Sequence, residues 1–129
     1  MRSFKNIVAV AIFLFSTQFF AQTSPSYYAV LVKAKWCSTC IKNEDRVVSE
    51  VLSRLDKNVF SVITNDLTNK QTKAASAEIL RANNLDYVNL RSTGILFLVD
   101  ARTKKIVESV VISKTSEDIA KTIERVATQ

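Results

Sequence analysis

The chain has 129 residues with a formal net charge of +6, and 47% of its residues are hydrophobic. This length favours a single domain, and the apolar content is high enough to build a core, which argues against extended disorder. The basic residues are spread along the sequence without a recognition motif, so we predict a mildly basic surface and no nucleic-acid partner.

Residues 1–21 have the pattern of a secretory signal peptide. Basic residues precede an uninterrupted apolar run over residues 7–15, which is short for a membrane-spanning helix. We predict cleavage after Ala21 and a short polar linker over residues 22–27. Phe19 departs from the small residues preferred before a cleavage site, so a retained membrane anchor stays open as the alternative. The domain is predicted to be periplasmic or secreted, with no stable membrane insertion after cleavage.

The next segment combines a strand with the cysteines. Residues 28–34, YAVLVKA, are almost continuously apolar and rich in β-branched and aromatic residues, which predicts a strand buried on both faces. The only two cysteines of the chain, Cys37 and Cys40, follow directly. From Ser38 to about Leu55 apolar residues recur at steps of three and four, which predicts an amphipathic helix that begins at the cysteines.

A second strand and a second helix are predicted next. The strand covers residues 59–64, VFSVIT. Thr68 and Gln71 have the spacing of a capping box, which predicts that a helix begins there and continues to about Asn83. The predicted inward face of this helix consists of Ala74, Ala77, Ile79 and Leu80.

The last part of the chain predicts two strands and a helix. Residues 95–99 and 106–112 read as strands joined by a polar turn, which favours antiparallel neighbours. Thr115 and Asp118 resemble a second capping box, and the helix that follows has an inward face of Ile119, Ile123 and Val126. The order is therefore βαβαββα. Because helical crossovers return the chain parallel to the previous strand, we predict an α/β domain with a mixed four-stranded sheet and helices on both faces.

Trp36 makes the cysteine motif more specific than a bare pair, because it directly precedes Cys37 at the end of a buried strand. With the βαββα order that follows it, the run YAVLVKAKWCSTC resembles the thioredoxin superfamily over residues 28–129, without that family's N-terminal βα extension. The resemblance implies a thioredoxin-like fold and a thiol-disulfide oxidoreductase without an organic cofactor. The implied partners are protein disulfide or dithiol substrates in the cell envelope and a thiol-recycling redox partner.

The resemblance also implies different roles for the two cysteines. Cys37 would lie at the N-terminus of the helix, where unpaired N–H groups and the helix dipole stabilise a thiolate and lower its pKa. Lys33, Lys35 and Lys42 add positive charge nearby in the sequence. The thiolate would attack a substrate disulfide, and Cys40 would resolve the mixed disulfide that results.

The loop before the third strand departs from the family's pattern. Family members usually carry a cis-proline there, and aligning NLRSTGILFLV on this loop places Thr93 at that position, with Ser92 before it and Gly94 after it. A cis bond before a residue other than proline costs about 2.5–4 kcal/mol, so we expect a trans bond. Ser92 and Thr93, together with Trp36, are predicted to border a substrate groove of altered shape.

A second departure concerns the buried acid that many thioredoxins hold below the resolving cysteine. The equivalent position in this chain is Leu31. Deprotonation of Cys40 would then use water, Glu44 or Asp45, and we predict slower turnover. The intervening pair is Ser-Thr instead of the Gly-Pro typical of reducing thioredoxins, and this pair tunes the reduction potential in the family.

Two other interpretations stay open. The cysteines could form an inert disulfide in a thioredoxin-fold binding or scaffold module, or they could be the thiolates of a metal carrier. A structural zinc site takes four ligands, and a chain with two cysteines and no histidine falls short of that number, so no metal site is predicted. The lack of histidine also excludes a Cys-His hydrolase.

Overall fold

The computed structural model describes residues 24–129. The predicted signal peptide and most of the predicted linker lie outside the described residues. The elements, in chain order, are β1 Tyr27–Lys33, α1 Ser38–Glu50, a 3-10 helix Leu52–Arg54, β2 Phe60–Asp66, α2 Lys70–Ala82, a 3-10 helix Tyr87–Asn89, β3 Ile95–Asp100, β4 Ile106–Val111 and α3 Ser116–Ala127. Within the described range, no helix is long and apolar enough to cross a membrane.

The four strands form one sheet in the order β2-β1-β3-β4. Strands β1 and β2 are parallel, with Tyr27 opposite Phe60 and Lys33 opposite Asp66. Strand β3 is antiparallel to β1, and β4 is antiparallel to β3. The predicted mixed four-stranded sheet is therefore confirmed.

The predicted direction of β3 is wrong. Instead of entering the sheet parallel to the preceding strand, the chain returns over residues 83–94 to the end of the sheet where β1 stops. There the N–H of Gly94 donates a hydrogen bond of 2.8 Å to the carbonyl oxygen of Val32. Because β3 begins beside the last residues of β1, it has to run antiparallel to β1.

Helices cover both faces of the sheet, as predicted. On β1 the side chains alternate between two buried clusters, and all of them from Ala29 to Val32 are buried. One cluster joins Val30 and Val32 to Leu80 of α2 and to both cysteines. The other joins Ala29 and Leu31 to side chains of α1, of its C-cap residue and of α3, among them Val47, Val51, Ile119, Ile123 and Val126.

The start of α2 differs from the predicted capping box. The cap is Asn69, whose side chain accepts a hydrogen bond from the N–H of Thr72, while the Thr72 hydroxyl accepts from the N–H of Asn69. Thr68 is instead bound to Asp66 and to the N–H of Lys35, so it is not available as a cap. The inward face also differs, because Ser76 and Leu80 are buried whereas the predicted Ala74 and Ile79 are exposed.

Helix α3 agrees with its prediction. The Thr115 hydroxyl accepts a hydrogen bond of 3.1 Å from the N–H of Asp118, and the three predicted inward residues are buried. Helix α1 is shorter than predicted, because it ends at Glu50 and the chain continues as a 3-10 turn. Strand β2 is longer than predicted and includes Asn65 and Asp66.

Candidate active site

The two cysteines lie where β1 passes into α1. After β1 the chain turns through Ala34, whose carbonyl accepts a hydrogen bond of 3.1 Å from the N–H of Cys37. Cys37 is the N-cap residue of α1, and Cys40 lies in the first turn of that helix. The two residues are joined by a disulfide, with their Cα atoms 5.2 Å apart.

The sulfur of Cys37 receives a hydrogen bond from the helix. The backbone N–H of Cys40 donates to Cys37 Sγ over 3.2 Å, so the sulfur takes the place of the side-chain oxygen that usually caps a helix. The described helix α1 has no acidic residue in its first turn that would offset the positive end of its dipole. Both features favour negative charge on this sulfur when the disulfide is reduced.

The two sulfur-bearing side chains differ in exposure. Cys37 keeps 9% of its surface in contact with solvent, whereas Cys40 is completely buried. Solvent therefore contacts Cys37 to a small extent and does not contact Cys40. Cys37, which the sequence resemblance implies reacts first, is the more exposed of the two.

The loop before β3 approaches the disulfide through Gly94. A Cβ atom added to Gly94 would lie 3.7 Å from Cys37 Sγ and 3.3 Å from Cγ2 of Thr39, and Gly94 has a φ of +78°. Thr93, which the sequence alignment placed at the family's cis-proline position, directly precedes Gly94 in this loop. The expected trans peptide bond is confirmed, since no peptide bond within residues 24–129 is cis.

The other predicted substrate-binding residues lie beside this contact. Ser92 is exposed and Thr93 is half-buried immediately before Gly94. Trp36 is 62% exposed next to Cys37, which fits a surface residue rather than core packing. Ile41, one of the apolar residues of α1, is 67% exposed directly after Cys40. An exposed apolar side chain therefore precedes Cys37 in the chain, and another follows Cys40.

The site contains an ion pair between Lys33 and Glu44 that was not predicted from the sequence. The Lys33 ammonium group, at the end of β1, binds the Glu44 carboxylate on α1, and the two side chains are 25% and 24% exposed. The positive charge of Lys33 is therefore directed at Glu44, while Lys35 and Lys42 are exposed. Of the three lysines near the motif, Lys33 is fixed by an ion pair.

Leu31 occupies the position at which many thioredoxins hold a buried acid, and its surroundings are apolar. Leu31 is 1% exposed and packs in the cluster that faces α1 and α3. The buried polar residues of the described chain are Asn65 and Ser76, and neither carries a charge. Asn65 donates a hydrogen bond of 2.6 Å to the carbonyl oxygen of Leu90.

Asp66 has a perturbed pKa. Burial raises the pKa of its carboxyl group, but hydrogen bonds from the hydroxyl and N–H of Thr68 and the positive charges of Lys33 and Lys35 together hold it below its ordinary value. Asp66 is thus ionised at neutral pH and fixes the turn that leads into α2. Its hydrogen bonds make it a structural residue near the site rather than an acid that exchanges protons.

The described residues contain no group of three or more cysteine, aspartate or glutamate side chains placed to hold a metal ion. The donor set at the site itself consists of the two sulfur atoms of the Cys37–Cys40 disulfide. When this disulfide is reduced, the same two sulfurs become thiols, and the thiolate is the form that binds metals.

No protein-family model matches the sequence, and no curated protein matches it. Several solved structures are similar. StoA from Bacillus subtilis aligns with a TM-score of 0.51 and 15% identity, over 76% of this chain and 83% of that one. Trxlp from Edwardsiella tarda EIB202 aligns with a TM-score of 0.49 and 14% identity, over 78% and 84% of the two chains. Thioredoxin f2 from Chlamydomonas reinhardtii aligns with a TM-score of 0.49 and 18% identity, over 81% and 82%.

Identities this low relate the proteins by fold alone. The similarity to StoA is a similarity of fold, which in this chain is a four-stranded sheet in the order β2-β1-β3-β4 with helices on both faces. The chain is therefore a thioredoxin-fold protein that carries a Cys-x-x-Cys pair at the N-terminus of its first helix.

Proposed function

We propose that this protein is a thiol-disulfide oxidoreductase that exchanges disulfides with proteins in the cell envelope. The observation that carries the proposal is the hydrogen bond from the N–H of Cys40 to Cys37 Sγ at the N-cap of α1. A cysteine sulfur that accepts a hydrogen bond from a backbone N–H at the positive end of a helix ionises more readily to a thiolate. The same stabilisation makes it a good leaving group. The envelope location rests on the predicted signal peptide.

The exchange follows from the positions of the two sulfurs. The thiolate of reduced Cys37 attacks one sulfur of a substrate disulfide, that bond breaks, and the other substrate sulfur leaves as a thiolate. Cys40 then loses its proton and attacks Cys37 Sγ, which forms the Cys37–Cys40 disulfide and releases the second substrate sulfur. The substrate gains two electrons and the protein loses two. The reverse sequence oxidises a substrate dithiol.

The substrate is proposed to be an extended segment that carries cysteine. Trp36 and Ile41 offer an apolar surface on the side of α1, and Ser92 and Thr93 offer polar groups on the loop before β3. Between them lies Gly94, where an added Cβ atom would be 3.7 Å from Cys37 Sγ, so the glycine puts no side chain of its own against this sulfur. A substrate cysteine placed between these two borders would reach Cys37.

Reduction of insulin by dithiothreitol tests the catalytic step. The purified protein is expected to shorten the lag before insulin precipitates, and Cys37→Ser is expected to remove this effect. In envelope extracts, Cys40→Ser is expected to accumulate mixed disulfides on Cys37, since the resolving sulfur is absent. Equal insulin kinetics for the wild type and Cys37→Ser would contradict the proposal.

Equilibration with glutathione gives the direction of the exchange. A potential near about −270 mV would place the pair with reductants, and one near about −120 mV with strong oxidants.

A second function is supported by one observation. Leu31 is apolar and buried where many thioredoxins have an acid, which is expected of a binding or scaffold module with an inert disulfide. The insulin assay separates the two functions, because an inert disulfide gives the same kinetics with and without Cys37.

A further inference from the structure

The two outer strands of the sheet, β2 and β4, differ in how their open sides are protected. An outer strand can pair with a strand of another chain, and proteins prevent this with charges, bulges or proline. Strand β4 has such features, because its register shifts between Leu98 and Val99 and because Glu108 in its middle binds Arg125. Strand β2 pairs with β1 without a shift, and its single charged residue is Asp66 at its last position.

The open side of β2 carries the backbone groups of Val62 and Thr64. The N–H and C=O groups of successive residues in a strand point alternately to its two sides. The carbonyl of Val59 and the N–H of Leu67 both bond to β1, so the odd-numbered residues between them face β1 as well. The even-numbered residues face outward, and the N–H of Asp66 accordingly donates to a hydroxyl of α2. The N–H and C=O groups of Val62 and Thr64 therefore point away from the sheet.

An apolar groove lies beside these two residues. Val62 is 44% exposed, and Thr64 is exposed on the same face of β2. The groove has a volume of about 470 Å³, and Leu52, Leu55 and Phe60 line it together with Val62. A strand added to β2 would pair the outward backbone groups and would also remove part of this apolar surface from water, which is favourable.

The predicted cleavage after Ala21 implies that such a strand comes from another chain. Cleavage there leaves only residues 22 and 23 ahead of the described range. Strands usually have about 3–10 residues, and the chain would first have to cross β2 to reach its open side. Two residues are too few for both.

A second copy of this chain has charges that fit the open side of β2. Lys57 lines the groove just before β2 begins, and Asp66 is the last residue of the strand. Two antiparallel β2 strands would bring Lys57 of each copy close to Asp66 of the other, whereas two parallel strands would bring like charges together. Antiparallel pairing about a twofold axis also uses the same surface on both copies, so it closes as a dimer.

We propose that this protein dimerises by antiparallel pairing of β2 with β2 of a second copy, with Val62 opposite Val62 of the second copy. In this register the two Val62 residues exchange both backbone hydrogen bonds, and the N–H of each Thr64 donates to the Phe60 carbonyl of the other copy. The N–H of Phe60 is bonded to the carbonyl of Asp56, so Phe60 takes part as an acceptor. The two grooves lie on one face of the joined sheet. This inference does not depend on the proposed function.

Sedimentation equilibrium of the protein purified after export measures the dimer. One pair of strands buries less surface than a standard interface, so we expect the average mass to rise from one chain towards two between about 5 and 500 μM. Val62→Lys sets like charges opposite each other and is expected to raise the Kd about tenfold or more. The matched control is Val107→Lys on β4, where Val107 is 41% exposed, and its Kd should stay within about twofold of the wild type.

Hydrogen exchange of the wild type tests the pairing itself and needs no variant to fold. The amides of Val62 and Thr64 are expected to exchange about tenfold more slowly at the highest concentration than at the lowest, because they become paired in the dimer. The amides of β4, residues 106–111, should exchange at the same rate at both concentrations. Circular dichroism of Val62→Lys shows whether that variant has kept the fold.

Three results would overturn the proposal. The first is an average mass of one chain at every concentration. The second is a dimer that Val62→Lys does not weaken, or one whose protection falls on β4 instead of β2. The third is full protection of the Val62 and Thr64 amides at the lowest concentration in a protein of monomer mass, since a segment of the same chain would then cover β2.

Discussion

Gly94 lies against Thr39, so that a Cβ atom added to the glycine would be 3.3 Å from Thr39 Cγ2. This contact closes the loop before β3 onto the first turn of α1 and leaves Cys37 Sγ next to a residue with no side chain. The chain has a single glycine, and it is at this position. Glycine suits this position for two reasons. It tolerates the positive φ of +78°, and it has no side chain to fill the small space that its neighbours leave.

Gly94→Ala is expected to lower the free energy of unfolding by about 1–2 kcal/mol, because alanine is strained at positive φ. Urea denaturation measures this change. Thr39→Ser removes the methyl group that the new Cβ would meet, so the added cost of Gly94→Ala should be smaller in that background. Equal stability of Gly94→Ala and the wild type would contradict this account of the loop.

Asn65 connects β2 to the segment before β3. Its Nδ2 donates a hydrogen bond of 2.6 Å to the carbonyl oxygen of Leu90, and both residues are buried. Asn65→Ala leaves this carbonyl without its donor and is expected to cost about 1–3 kcal/mol of stability. Thr64→Ala, at an exposed position of the same strand, is the matched control and should change stability little. Similar losses for both variants would argue against the role of this hydrogen bond.

Arg46 ties α1 to the segment between β4 and α3. Its guanidinium group donates to the carbonyl oxygens of Ile112 at 2.9 Å and Lys114 at 3.0 Å, and to the Ser116 hydroxyl at 2.7 Å. Arg46→Met keeps the aliphatic stem but removes these donors, and we expect a loss of about 1–3 kcal/mol in thermal or urea unfolding.

Arg54→Met is the control for Arg46→Met, because Arg54 is exposed on the short 3-10 helix. This substitution should stay within about 0.5 kcal/mol of the wild type. If Arg46→Met were as mild as Arg54→Met, the link between α1 and α3 would not contribute to stability.

The lowered pKa of Asp66 predicts that the free energy of unfolding decreases in acid. Because the hydrogen bonds from Thr68 and the nearby lysines lower its pKa in the folded protein, its ionised form stabilises the fold above the unfolded pKa of about 3.9. This contribution is lost as the pH falls through the lower, folded pKa. The stability difference between the wild type and Asp66→Asn should therefore be larger at pH 6 than at pH 3, as measured by urea unfolding. Thr68→Ala should reduce this pH dependence, and a difference that is constant with pH would contradict it.

Local sequence patterns were sufficient to predict the junction of β1 and α1 that carries the two cysteines. The apolar run of β1, the cysteines and the period of α1 predicted a buried strand that leads into a helix with Cys37 at its start, and this arrangement is present. Such features depend on residues that are close in sequence, so periodicity and caps describe them well. The same reasoning predicted the cap and the inward face of α3.

The remaining parts depend on contacts between distant segments. Thr68 and Asn69 are both suitable caps, and the bonds of Thr68 to Asp66 and Lys35 leave the cap to Asn69. The direction of β3 depends on where the segment 83–94 returns to the sheet, which no local pattern states. The pair of Lys33 with Glu44 joins a strand to a helix and arises only once both are packed.

The reactivity of reduced Cys37 tests the central claim most directly. In Cys40→Ser the backbone N–H at residue 40 remains, and Cys37 is the only thiol, so its rate of alkylation by iodoacetamide can be followed against pH. The account predicts that the rate reaches half of its maximum clearly below pH 8.5, the value of about 8.5 being that of an ordinary cysteine. A midpoint at or above that value, or no reaction of the folded protein, would contradict the claim that α1 holds Cys37 as a reactive thiolate.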